Sequence, residues 1–209
     1  MRSGIDHLVV VCADLDQGAA WVEARLGVQP QPGGKHALMG THNRLLRLGQ
    51  RCYLELIALD PDATALRPRW FDLDDPAVQR RARERPFLLT WVAATGSIVE
   101  AAVQVPELGE IIAAARNHLS WRITVRDDGH LNFSGVLPAV IEWDGDAHPC
   151  DMLEDRGCEL LELRLSHPAA TSIVPMFRSL RLAGPIELRP GPIELAARIL
   201  TPRGEVVLH

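Results

Sequence analysis

Residues 5–12, IDHLVVVC, and residues 52–59, CYLELIAL, are the two stretches on which the fold turns. Each is a near-continuous apolar run of strand length that carries a candidate functional side chain, His7 in the first and Glu55 in the second. Runs of this kind suit strands covered on both faces. Between them, Asp14 to Asp16 supply N-cap chemistry, residues from Ala19 to Val28 recur at helical spacing, and Gly27 stands where a C-terminal glycine cap is expected. After the turn-rich segment QPQPGGKH, the stretches ALMG, NRLLRLG and CYLELIAL read as three short strands. The result is one βαβββ unit over about 5–59. Alternation places His7 with Val9 and Val11 on one strand face, and Glu55 with Tyr53 and Ile57 on another. An imidazole and a carboxylate that can face one cavity are half of a metal site or an acid/base pair. Burying the carboxylate is costly unless a cation, a metal or a donor satisfies it.

Two further stretches follow a similar order. FLLTWVAA (87–94) leads to helical patterns at 97–102 and 107–117, then to WRITV, HLNF and GVLPAVIEW. CELLELRLSHP (158–168) leads to helical SIVPMFRSLRL, then to PIELRP, PIELAARIL and GEVVL. The joining segments 60–86 and 145–157 are rich in Asp, Pro and Arg, and Asp75-Pro76 suits the start of a short helix. They read as connectors within one domain, 1–209, built from units at about 5–59, 86–145 and 157–208. Repeated units of this size suggest duplication.

Composition limits the function. With 209 residues and 47% hydrophobic content the chain can bury a real core without staples. Its four cysteines show no CxxC spacing and read as reduced thiols, which suits the cytoplasm. The start, MRSGIDHLVV, lacks the pattern of a signal peptide, and no run reaches the length of a membrane span. A net charge of −5 disfavours nucleic acid as a partner, and Arg80, Arg81, Arg83 and Arg85, interleaved with Glu84, read as a solvated helix face. The sequence has no P-loop, no GxGxxG after a strand, no GxSxG and no HExxH, so nucleotide-dependent and triad-type chemistry are disfavoured.

With His7 in a first strand and Glu55 in a fourth, and with GGKHALMGTHNRLLRLG, PAVIEWDGDAHP and ELRLSHP further along, the chain resembles the glyoxalase-like branch of the vicinal-oxygen-chelate superfamily. The resemblance implies an α+β fold. Repeated βαβββ modules form curved mixed sheets that cup a cavity, with helices on the outer face. It also implies a divalent metal (Fe, Mn, Mg, Zn or Ni) held by the first and fourth strands of paired modules. His7 and Glu55 match two ligand positions. The third falls on Glu162 if the third unit is the partner, or near Leu88 if the middle one is. The fourth falls near Val207 or Leu208, which cannot bind a metal, so the quartet is incomplete, and His148 is a replacement ligand delivered by a loop. Glu162 or Glu142 would move the proton.

Other side chains are read as substrate contacts: His36 at the entry to a strand, Asn43 with its amide toward the cavity, Trp143 as a hydrophobic wall, and Arg47 and Arg164 as clamps for an anion. The expected activity is that of a metal-assisted lyase, isomerase or dioxygenase acting on a small oxygenated molecule. The alternative is a metal-free protein that sequesters a ligand in the same cavity. A third reading, a homodimer whose sheets close across the subunit interface, stays open, as does the choice of partner unit.

Overall fold

The computed structural model describes residues 3–116 and 118–209. In chain order its elements are β1 (Gly4–Val11), α1 (Leu15–Leu26), β2 (Gln31–His36), β3 (Thr41–Arg47), β4 (Tyr53–Leu59), α2 (Pro76–Glu84), β5 (Phe87–Ala94), α3 (Ile98–Gln104), β6 (Glu110–Arg116), β7 (Leu119–Val125), β8 (Ala139–Trp143), β9 (Glu159–His167), α4 (Ala170–Ser179), β10 (Ile186–Pro190), β11 (Glu194–Thr201) and β12 (Gly204–Leu208). The local signals for the first two helices hold. Asp14 accepts hydrogen bonds from the backbone of Asp16 and Gln17, Gly27 closes α1 with φ 75°, and Asp75 caps α2 with Pro76 in its first turn.

The first two units merge into one eight-stranded mixed sheet of order β2-β3-β4-β1-β5-β8-β7-β6. In both units the first strand runs parallel to the fourth, and the units join where β1 meets β5 antiparallel. The sheet curls until its two edges face each other, so that Gly34 of β2 lies against the side chain of Arg116 of β6. Leu8, Val10, Leu54 and Leu56 cover the convex face and pack on Val22 and Leu26 of α1. Val9, Val11, Ile57, Ile123 and Ile141 cover the concave face, where the 60–86 connector fills the trough with Trp70, Phe71, Leu73 and Ala82. Three helices thus lie outside as expected, whereas α2 lies with the connector on the concave side.

The partner of the first unit is therefore the middle one. The third stretch has the same element order but a different strand order, β10-β9-β11-β12, in which β9 sits between β10 and β11. Its sheet packs against the convex side through Leu163, Leu165, Ala197 and Ile199, away from the trough.

Three local expectations are corrected. The second strand of the first unit is Gln31–His36 and not ALMG, because Gly33 and Gly34 open a bulge that lets the segment pair with β3. The segment after Glu107 forms a short 3-10 turn and then β6, because EIIAAAR finds a full antiparallel partner in β7; position 117, at the end of the expected helix, lies outside the described residues. HLNF lies in a loop and 3-10 turn before β8, with Phe133 and Ser134 at φ 47° and 53°.

Candidate functional site

At one end of the trough the concave face changes from apolar to polar. β1 carries a bulge between Ile5 and His7, so Asp6 has no cross-strand partner on β5. The Asp6 side chain is 0% exposed. It accepts hydrogen bonds from His7 Nδ1 at 2.7 Å, from Trp143 Nε1 at 2.8 Å and from His148 Nε2 at 3.3 Å. Burial alone would push the Asp6 carboxyl up. Its bonds to His148 and His7, and the charge interaction with both rings, outweigh burial and hold it well below the usual carboxylate range.

Asp6 orients His7. Nδ1 donates to the Asp6 carboxylate, and Nε2 lies 3.6 Å from Glu55 Oε2. The His7 ring is stacked on Tyr53, with centroids 4.6 Å apart. Glu55 is held from the other side by Asn43 Nδ2 at 2.5 Å. Asn43 Oδ1 accepts from the Gly34 N–H at 2.9 Å and from Arg116 Nη1 at 3.0 Å, which sets the orientation of the amide. Arg116 Nη1 also lies 3.3 Å from His36 Nε2, so that nitrogen accepts and Nδ1 donates to Thr41 Oγ1 at 3.0 Å. Burial, and then the Arg116 charge, push His36 down to about 4, against the opposing pull of Glu55. His36 is thus a neutral imidazole at physiological pH.

Two glycines make room for this network. A Cβ on Gly33 would lie 2.0 Å from Asn43 Oδ1, and one on Gly34 would lie 2.6 Å from the Arg116 chain. The middle unit closes the other wall with Trp121, Ile123, Ile141 and Trp143, and Trp70 and Phe71 of the connector cover the top. The cavity between these walls is about 20 Å³, space for about one water, and is partly open to solvent.

Residues 5–180 match the family described as Glyoxalase-like domain. The chain belongs to that family. No curated protein matches the sequence. Among solved structures, a hypothetical protein from Staphylococcus aureus is similar with a TM-score of 0.62 at 14% identity, covering 92% of this chain and 88% of its own. A methylmalonyl-CoA epimerase in complex with methylmalonyl-CoA and NH4+ gives 0.48 at 18% identity, covering 71% and 100%. A methylmalonyl-CoA epimerase from Mycobacterium tuberculosis gives 0.43 at 14%, covering 69% and 89%. At these identities the likeness concerns the glyoxalase-like fold alone.

Within the glyoxalase-like cradle, His7, Glu55, His36, Asn43 and Trp143 come together. His148 is close but stands behind Asp6. Its Nε2 is bonded to Asp6 and its Nδ1 accepts from the Cys150 N–H at 3.2 Å, so no lone pair points at His7 and Glu55. Arg47 lies at the far end of β3 and donates to the Gly49 carbonyl. Glu142 points to the convex side, where it accepts from the N–H of Ile98 at the start of α3 and pairs with Arg122 at 3.1 Å. Glu162 and Arg164 lie on β9 in the other sheet, 3.7 Å apart, with Arg198 also on Glu162. Its different strand order removes the basis for setting Glu162 opposite His7. The functional alternation of β9 is that of a charged outer surface.

Asp6, Arg116 and Trp70 are not found by pattern alone. For Asp6 a signal exists: strict alternation sends it to the convex face among Leu8 and Val10, where an unpaired carboxylate is too costly to stay. For Arg116 no local signal exists, since its partners are 73 and 80 residues away.

Proposed function

We propose that this glyoxalase-like protein is an isomerase or lyase that moves a proton on a small oxygenated organic molecule, with His7 and Glu55 as the proton carriers. The observation that carries the reading is the Asp6–His7 pair, which places the ring Nε2 3.6 Å from Glu55 Oε2 among buried side chains. A carboxylate behind an imidazole fixes its tautomer and stabilises the imidazolium that forms when it takes a proton. In the step envisaged, the C–H bond beside a substrate carbonyl breaks, its electron pair moves to the carbonyl oxygen as an enolate, and the proton goes to His7 Nε2. Return of a proton to the opposite face of the same carbon, from Glu55, completes an epimerisation without an oxidant; where that carbon bears a hydroxyl, its O–H proton passes to the enolate oxygen, the proton returns to the neighbouring carbon, and the carbonyl has moved by one position. Tyr53, stacked on His7, keeps the ring in plane with this path.

The residues present do not fit a divalent metal held by three or four side chains. His7 Nε2 and Glu55 converge, but the lone pair of His36 Nε2 is engaged by the Arg116 guanidinium, a cation that opposes a second one beside it. The middle unit offers Trp121, Ile123, Ile141 and Trp143 where donors would be needed. Among the described residues, no group of three or more His, Cys, Asp or Glu side chains is arranged to hold an ion. The proton transfer proposed for this cradle uses its own side chains, which suit an isomerase or lyase better than a dioxygenase.

A binding-only protein is the second reading, supported by the apolar wall of the middle unit. The experiment is hydrogen–deuterium exchange at carbon, followed by NMR on chelator-treated full-length protein with small hydroxyketones, 2-oxo acids and 2-hydroxy acids, beside elemental analysis. Exchange that is lost in His7→Ala and Glu55→Gln supports the isomerase reading. Binding without exchange turns the proposal to sequestration, and exchange equal in wild type and His7→Ala overturns it. Among the described residues no helix is long and apolar enough to cross a membrane; the cytoplasm and a homodimeric state remain part of the proposal, on the cysteine usage and the fold respectively.

A further inference from the structure

Arg116 is a guanidinium only 8% exposed, and no carboxylate among the described residues lies within salt-bridge distance of it. Its hydrogen bonds to described residues run from Nη1 alone, to Asn43 Oδ1 and His36 Nε2, both neutral acceptors. Glu55 stands behind the Asn43 amide and His36, each of which lies between it and Arg116. Buried charges are normally paired, and a guanidinium offers five donors in a planar fork that matches a carboxylate. Arg116 lines the cradle that holds His7 and Glu55, and no hydrogen bond to a described residue engages its Nε or Nη2. A second donor is in the same position: Trp70 lines this cavity, stands edge-on to His36 with centroids 5.1 Å apart, and its buried indole N–H has no acceptor.

We propose that Arg116, assisted by the Trp70 N–H, is a specificity group that binds the carboxylate of a small organic acid in the cradle. The substrate class becomes a carboxylic acid with an oxygen on the adjacent carbon, a 2-oxo or 2-hydroxy acid. This rests on the proton-transfer reading for what happens next, but the recognition itself does not need it. The arrangement has a physical logic. An incoming carboxylate supplies the charge that Arg116 lacks, while Asn43 shields it from Glu55, which would otherwise take up the guanidinium and leave no room for an anionic ligand. His36 accepts from Arg116 Nη1 as a neutral ring and so leaves the guanidinium charge unpaired. The glycines at 33 and 34 belong to the same device, since side chains there would occupy the space of the Asn43 amide and of the Arg116 chain.

The test is isothermal titration of the full chain with acetate, pyruvate, lactate and benzoate, each beside its neutral amide. Arg116→Gln keeps a donor for Asn43 and His36 but removes the charge; Arg116→Lys keeps the charge but not the fork. The expected result is a preference of about ten-fold or more for at least one acid over its amide in wild type, a loss of that preference in Arg116→Gln, and an intermediate value in Arg116→Lys. Should Arg116→Gln fail to fold, the Lys variant and Trp70→Phe, expected to lose a smaller part of the preference, carry the comparison. No acid preferred over its amide in wild type, or a preference that survives in the variants, overturns the proposal. Proton exchange on the neutral probe dihydroxyacetone separates the two readings: His7-dependent exchange there, with no acid preference, leaves the function standing and removes this inference.

Discussion

The two βαβββ units of the eight-stranded sheet share a topology and differ at the polar end of the trough. The first presents Asp6, His7, His36, Asn43 and Glu55; the middle presents Trp121, Ile123, Ile141 and Trp143, and only its edge residue Arg116 is charged. The repeated topology thus supplies two matching walls, one rich in polar side chains and the other apolar. Low local dielectric strengthens each contact on the polar wall and makes each unpaired group there costly. The difference teaches that a doubled fold does not imply a doubled ligand set. Each unit meets the other through a small number of bonds, and these are where the comparison can be broken.

The largest effect is expected at Asp6, which ties β1 of the first unit to Trp143 and His148 of the other wall. Asp6→Ala leaves three donors without their acceptor and should cost about 3–5 kcal/mol in urea unfolding. Asp6→Asn keeps the shape but not the tautomer of His7, and should lower proton exchange on the order of 10³-fold or more with a smaller loss of stability. Equal exchange in Asp6→Asn and wild type would remove the catalytic role of the pair.

The second effect depends on pH. His36 is held at about 4 in the folded protein, below its ordinary value, so between about pH 4 and 6.5 the unfolded chain binds the extra proton. The contribution of neutral His36 is complete above about pH 6.5 and is lost as pH falls toward 4, on the order of 2–3 kcal/mol. Thermal melts across this range should fall more steeply for wild type than for His36→Gln, and parallel curves would contradict the account. Asp6, with its lowered value, adds its own loss only at more acid pH, below the ordinary carboxylate range.

Gly33→Ala probes the edge where the units face each other. The new methyl meets Asn43 Oδ1 at 2.0 Å and must displace it, with an expected cost of about 1–3 kcal/mol and a weakened hold on Glu55. An unchanged unfolding midpoint would show that the edge yields freely. Trp143→Phe keeps the wall and removes one hydrogen bond to Asp6, which should cost about 1 kcal/mol. Glu162→Ala, on the other sheet, breaks only partly exposed ion pairs and should shift stability by about 0.5 kcal/mol or less, with proton exchange unchanged. A large loss of exchange in that variant would restore the third stretch to the site.

The fold was legible wherever its signals are local. The caps at Asp14, Gly27 and Asp75 and the alternation of His7, Val9 and Val11 all read correctly from neighbouring residues. EIIAAAR was not legible, because small apolar residues suit either helix or strand and the pairing with β7 decides. QPGGKH was not, because its glycines read as a turn although their space serves Asn43 and Arg116. Glu142 and Glu162 have the right chemistry on the wrong surfaces, since the two sheets place them on the convex side and on a separate layer.

By itself the sequence determined the first helix of the first unit with the strands on either side that carry His7 and Glu55, and the resemblance to its family. Periodicity, capping and alternation act over a few residues and are written where they act. Tertiary structure alone decided which unit partners the first, that a bulge turns Asp6 behind His7, and that Arg116 arrives from the far edge of the curled sheet. Those contacts depend on register and curvature, which are set by the joint packing of residues distant in the chain, and no short window of sequence holds that information.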